Sequence, residues 1–175
     1  MKLSKILFEA LDGKKILLLV HPDIIFEVAS RKIDGKSNVD AALEYIEKYK
    51  QYKAEFDYII VHLFYSNRML ERNILSWDKK VYDLYLSFVE DLKDGADVVL
   101  HDENYSASFQ DELPSYAIDN PNSTIYLSGG YKDLCVEKTK FMLHGADGKG
   151  GKLGSLLTEL NIKVVCFSPL LIDRN

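Results

Sequence analysis

Five short apolar runs, at residues 15–20, 58–64, 97–100, 124–128 and 163–167, constrain this chain more than any other feature. Most are rich in Val, Ile and Leu, without alternation with polar residues. Strands of this kind are buried on both faces, as in a parallel sheet covered by helices. The segments between them carry helical spacing instead. Val39, Ala42, Leu43 and Ile46 share one face after Asn38, a good N-cap. Val81, Leu84, Tyr85, Phe88 and Leu92 repeat the pattern, and residues 134–143 and 153–160 supply two more helices. This alternation predicts a three-layer α/β/α fold, with a mostly parallel five-stranded sheet and right-handed crossovers.

Composition narrows the class. The 175 residues fit one domain, 1–175, and no repeat or linker divides them. A hydrophobic content of 47% excludes disorder, and a net charge of −5 argues against a partner that is nucleic acid. Two cysteines are too few for a disulfide framework, which points to a reducing, cytoplasmic setting. Leu3, Ile6, Leu7 and Ala10 form a helical face that Gly13 can end, while Glu9 and Asp12 interrupt the apolar stretch a signal peptide needs. The run at 16–20 is far short of a membrane span. The glycine-rich stretch 145–151 follows a helix and lacks the context of a phosphate loop, so it reads as a surface loop. No cofactor is expected.

In an open parallel sheet, ligands bind at the carboxyl ends of the strands, near the point where strand order reverses. The positions to inspect are therefore His21-Pro22-Asp23, Tyr65-Ser66-Asn67, His101-Asp102-Glu103, residues 129–135 and Ser168-Pro169. Cys135 follows a strand and a glycine turn, at or near the start of a helix. There, free N–H groups and the helix dipole lower a thiol's pKa and can form an oxyanion hole. A small buried core residue would suit the same position. Cys166, inside the last run, reads as core.

Three blocks carry a resemblance. Ser128-Gly129-Gly130-Tyr131-Lys132-Asp133-Leu134-Cys135-Val136-Glu137-Lys138-Thr139 resembles the strand–turn–helix block of the isochorismatase-like cysteine hydrolases, which include nicotinamidases and related amidases. In that family a Gly precedes the nucleophilic Cys by six places, with Val and Thr after it. Residues 105–113 resemble the stretch after the family's third strand, and residues 17–26 the end of its first, all in the family's order. The resemblance implies a cysteine hydrolase acting on a small-molecule amide or ester through a thioester on Cys135. Phe26, Tyr105, Gly130 and Tyr131, all within these blocks, are the candidate substrate contacts.

The same blocks depart from the family. Its general-base Asp is replaced by His21 and its Lys by Asp102, so only Cys135 survives from the Asp–Lys–Cys triad. The spacing around His62 lacks the family's Asp–His–His metal site, so no metal is expected. The family also implies a further helix and strand after the fifth run, so the fold is expected to be shortened there. Two readings stay open. Either Cys135, His21 and Asp102 form a rearranged Cys–His–Asp set, or the site is inactive and the fold binds a small molecule or a protein. Tyr45, Tyr49 and Tyr52 form a helical stripe that suits packing on the sheet with hydroxyls reaching water, or an oligomer contact. The resemblance implies a homo-oligomer, with Trp77 and Tyr82 as possible contributors.

Overall fold

The computed structural model describes residues 13–33, 36–65, 76–101, 112–144 and 151–173. The expected helix on residues 3–10 and residues 145–150 of the glycine-rich stretch lie outside them. In chain order the strands are β1 (Lys15–Val20), β2 (Lys32–Ile33), β3 (Lys36–Ser37), β4 (Tyr58–Leu63), β5 (Val98–His101), β6 (Thr124–Gly130) and β7 (Lys163–Ile172). The helices are α1 (Ile25–Ser30), α2 (Val39–Tyr52), α3 (Lys79–Gly95), α4 (Glu112–Asp119), α5 (Glu137–Leu143) and α6 (Gly151–Glu159).

The five apolar runs form one all-parallel sheet, ordered β5-β4-β1-β6-β7. Strand order reverses at β1, because the chain builds outward to β5 and then crosses back to β6 on the other side. A crevice at the carboxyl ends of β1 and β6 follows from that topology. Two aspartates set the amino ends of the strands. Asp57, just before β4, accepts the Lys15 N–H at 2.8 Å, and Asp97, just before β5, accepts the Ile59 N–H at 2.7 Å. Each carboxylate thereby pairs a strand end that the ladder leaves open.

Alternation along β1 divides the core. Leu17 and Leu19 face α1, α2 and α3, whereas Ile16, Leu18 and Val20 face α4, α5 and α6. Helix α3 shows why these segments are helical. Asp78 caps it by accepting the Val81 N–H at 3.0 Å, and Val81, Tyr85, Phe88 and Leu92 turn to the sheet. Full burial of each such side chain contributes roughly 1.5–3 kcal/mol.

Several local expectations change. The last strand runs on to Ile172, because a register shift between Leu127 and Gly129 absorbs Ser168 and Pro169. A bulge is where a sheet tolerates proline. Cys166 is exposed rather than core: β7 is an edge strand, with no strand on its outer side among the described residues. Tyr45 and Tyr49 are fully packed, and their hydroxyls have no hydrogen-bond partner among the described residues. The hydroxyls are buried rather than reaching water, and burial pushes both phenols up. Trp77 also lies in the core, against Tyr65 and Tyr85 at 5.3 and 5.6 Å between ring centroids. Asn38 stands at the N-cap of α2 without a side-chain capping bond. A short antiparallel ribbon, β2 with β3, was not expected at all.

Candidate functional site at the carboxyl edge

The site begins where β6 leaves the sheet. Gly129 has φ +114°, and a Cβ there would lie 1.9 Å from the Val20 carbonyl oxygen, so β1 and β6 approach closely only because this residue is glycine. After Gly130 and Tyr131 the chain makes a π-helical turn, Lys132–Val136, which runs into α5. The Tyr131 carbonyl accepts the N–H of Leu134 at 3.1 Å and of Val136 at 3.2 Å. Cys135 sits between those two donors. It is half-buried, packed against the aliphatic core on the α4–α6 side. Turns of this wide type recur at functional sites.

His21 follows β1 on the neighbouring strand end. Its backbone is left-handed, φ 50° and ψ 50°, and its N–H donates to the His62 carbonyl at 2.6 Å. A non-glycine residue held in this region stores strain. The His21 side chain is only 4% exposed, and its ring lies 5.0 Å from the His62 ring and 5.2 Å from Phe64. His62 pairs in register with Val20, as does Gly129 on the opposite side. Val20, His62 and Gly129 therefore lie level across three strands, Cys135 follows Gly129 by six places, and His21 packs against the same histidine.

The remaining candidates divide. Gly130 and Tyr131 lie at this edge, with Gly130 packed toward Ile24 and Ile172 and Tyr131 mostly buried. Phe26 is in the core on the other side of the sheet, edge-on to Tyr85 at 5.4 Å, rather than on a cleft wall. Asp102 and Tyr105 lie outside the described residues. The strand that leads to Asp102 is β5, and β4 stands between it and β1. The neighbour that β4 itself presents to His21 is His62.

Asp23 lies in a turn that the sequence marks for inspection, but it has no assigned role there. It is fully buried, and its two carboxylate oxygens accept the N–H groups of Phe64 and Tyr65 at 2.9 and 2.8 Å. Burial pushes it up to about 6, and the backbone donors pull the other way without prevailing. Burial and the Asp23 charge together raise Tyr45 and Tyr85, and the carboxylates of Glu27 and Asp23 add to burial at Tyr65. The signal for Asp23 was present: one acidic residue inside an apolar segment, in a Pro-Asp turn after the central strand. His62 had a similar signal, a lone imidazole inside a buried strand pattern.

A polar chain of contacts borders the edge on the α1 side. Arg31 Nη2 donates to the Tyr131 hydroxyl at 3.1 Å and lies 3.5 Å from Glu27 Oε1, while the Tyr65 hydroxyl meets Glu27 Oε2 at 3.5 Å. Beside it a hollow of about 200 Å³ opens between α1, α2 and the end of β7, with Val28, Tyr45 and Ile172 on its walls and Lys48 and Asp173 among its polar groups. It lies across the sheet from Cys135. Among the described residues no three His, Cys, Asp or Glu side chains are grouped to hold a metal, and no helix is long and apolar enough to cross a membrane. No protein-family model matches the chain, and no curated protein matches it.

Proposed function

We propose that this chain is an isochorismatase-like cysteine-hydrolase-fold protein with a non-standard site, which cleaves an amide or ester of a small molecule through a thioester on Cys135. The observation that carries the reading is the placement of Cys135 in the turn leaving β6, at the strand-order reversal, beside the strand end that holds His21. In this reading His21 removes the thiol proton and the thiolate attacks the carbonyl carbon. A backbone N–H of the turn other than those of Leu134 and Val136, which the Tyr131 carbonyl holds, receives the developing oxyanion. The amine or alcohol leaves with the proton that His21 held, and water, deprotonated by the same imidazole, then splits the thioester. The products are a carboxylic acid and the restored thiol. In this reading Asp102 orients the base, and the His62 ring, 5.0 Å from that of His21, is a second group that holds it. A reducing cytoplasm, which preserves both free thiols, and a homo-oligomeric assembly go with this reading.

The burial of His21 favours a second reading, a binding module without hydrolysis, because a base closed off from water cannot activate it. Thiol reactivity separates the two. In a Cys166→Ser background, which removes the exposed thiol, the rate of Cys135 alkylation by iodoacetamide is measured against pH. The hydrolase reading expects a midpoint well below ~8.5. It also expects a sharp slowing in His21→Asn, a residue that tolerates the left-handed backbone. A midpoint at the ordinary thiol value, unmoved by His21→Asn, leaves only the binding module.

A further inference from the structure

We propose that Arg31, with Glu27 behind it, is a positioning residue that holds the Cys135 turn through Tyr131. This rests on the hydrolase reading of the same edge. The chain of contacts is short and each step is defined. Glu27 and Arg31 stand one helical turn apart, with Arg31 Nη2 3.5 Å from Glu27 Oε1. The same nitrogen donates to the Tyr131 hydroxyl at 3.1 Å, across 100 positions of sequence. The Tyr131 carbonyl in turn accepts both N–H groups that bracket Cys135, from Leu134 and Val136. Tyr131 is thus fixed at both ends, by the guanidinium at its ring and by the turn at its backbone.

The geometry explains why such a latch is needed. A π-helical turn is a wide, sparsely used conformation, and here it leads into a helix of only 7 residues, Glu137–Leu143. Intrahelical bonding alone holds so short a segment weakly. The Tyr131 ring lies among the side chains on the α1–α3 side, whereas Cys135 packs on the α4–α6 side. The turn therefore straddles the sheet edge, and a restraint on one side sets the position of the thiol on the other. Arg31 suits the task because its planar fork can meet a carboxylate and a phenol together. Its own side chain is half-exposed, at 49%, so replacing it removes the latch without opening the core.

The test uses the full chain in the Cys166→Ser background, with Arg31→Met, Arg31→Lys, Tyr131→Phe and the double variant Arg31→Met/Tyr131→Phe. Two readouts are taken: amide hydrogen exchange at Leu134 and Val136, and the pH profile of Cys135 alkylation. Arg31→Met is expected to speed exchange at both amides by about tenfold and to slow alkylation at pH 6 by about tenfold. Arg31→Lys, which still donates to the phenol, recovers much of both. Tyr131→Phe reproduces the Arg31→Met effect, and the double variant is no worse than either single one. Unchanged exchange and an unchanged profile in Arg31→Met overturn the latch while a low parent midpoint leaves the hydrolase reading intact. Faster exchange with an ordinary parent midpoint keeps the mechanical link but overturns its role in positioning a nucleophile.

Discussion

On the α1–α3 side of the sheet, Phe26, Trp77, Tyr85 and Phe88 meet with ring centroids 5.4 to 6.4 Å apart, and a fully buried carboxylate sits at the edge of that layer. On the α4–α6 side the buried core is aliphatic, with Leu18, Ile60, Leu127, Leu143 and Leu157. An aromatic contact on this side, Tyr58 stacked on Tyr116 at 3.8 Å, is at the opposite end of β4 from His62. Edge-to-face rings fit in few ways, whereas aliphatic side chains repack readily. One side of the sheet is thus a fixed frame, and the other carries the thiol and His62 in a softer setting. The two meet at the β1–β6 seam.

Breaking the seam should have the largest effect. Gly129→Ala places a methyl group 1.9 Å from the Val20 carbonyl oxygen at a φ that L residues avoid. We expect a loss of more than about 4 kcal/mol, seen as failure to give a cooperative urea transition. Gly130→Ala points instead at the side chains of Ile24 and Ile172, 3.1 Å away, which can shift; it should cost only about 1–2 kcal/mol. Equal losses for the two would mean that the seam is not the common joint.

Next come truncations within each layer. Phe88→Ala removes a ring that touches Phe26, Tyr45 and Tyr49, and should cost about 3–5 kcal/mol. Met142→Ala, at the margin of the aliphatic core, should cost about 2 kcal/mol. The comparison sharpens further if hydrogen exchange near Cys135 rises in Met142→Ala and not in Phe88→Ala at matched stability.

Asp23 gives the fixed side a pH signature. Its folded pKa of about 6 lies above the 3.8 of a free carboxyl, so the native chain keeps a proton that the unfolded chain has released. Its contribution is therefore fully present below pH 3.8 and is lost as pH rises through about 6. The size is on the order of 2–3 kcal/mol. Asp23→Asn should remove that slope, read as the difference in urea stability between parent and variant from pH 4 to 7.5. The variant should also be less stable at low pH, because its amide can accept only one of the two N–H groups of Phe64 and Tyr65 cleanly. A parallel pair of curves would show that Asp23 is ionised throughout.

The two sides also differ in how far the sequence made them legible. Continuous apolar runs marked all five strands of the sheet; in β1, β4 and β6 the cause is burial on both faces, whereas the margin strands β5 and β7 carry the same pattern while partly exposed. The turn at residues 129–135 was legible from its glycines, and Cys135 lies in the turn that leaves the fourth sheet strand in chain order. What was hidden depended on neighbours distant in sequence. Asp23 meets Phe64 and Tyr65 across 41 and 42 positions, and Arg31 meets Tyr131 across 100. No periodicity encodes such pairs. The tyrosine stripe of α2 was legible as a face, but its depth was not, because burial of a phenol depends on what α3 brings against it.

Cys166 is the clearest case of that limit, and it makes the smallest prediction. Its sequence context, Val164-Val165-Cys166-Phe167, is that of an interior strand. The strand order puts β7 at the margin of the sheet, and Val165 and Cys166 are exposed there while Phe167 is packed. Nothing in the local pattern distinguishes an edge from a centre, since both present the same residues and differ only in what lies beside them. If the margin is open, Cys166→Ser exchanges one small solvated group for another, and urea stability should stay within about 0.5 kcal/mol of the parent. Iodoacetamide should label Cys166 in the native protein at a rate close to that in the urea-unfolded chain, because no packing shields it. A destabilisation above about 1 kcal/mol, together with protection from labelling, would show that β7 is covered in solution, and the contrast between a fixed and a softer side would then have to include whatever covers it.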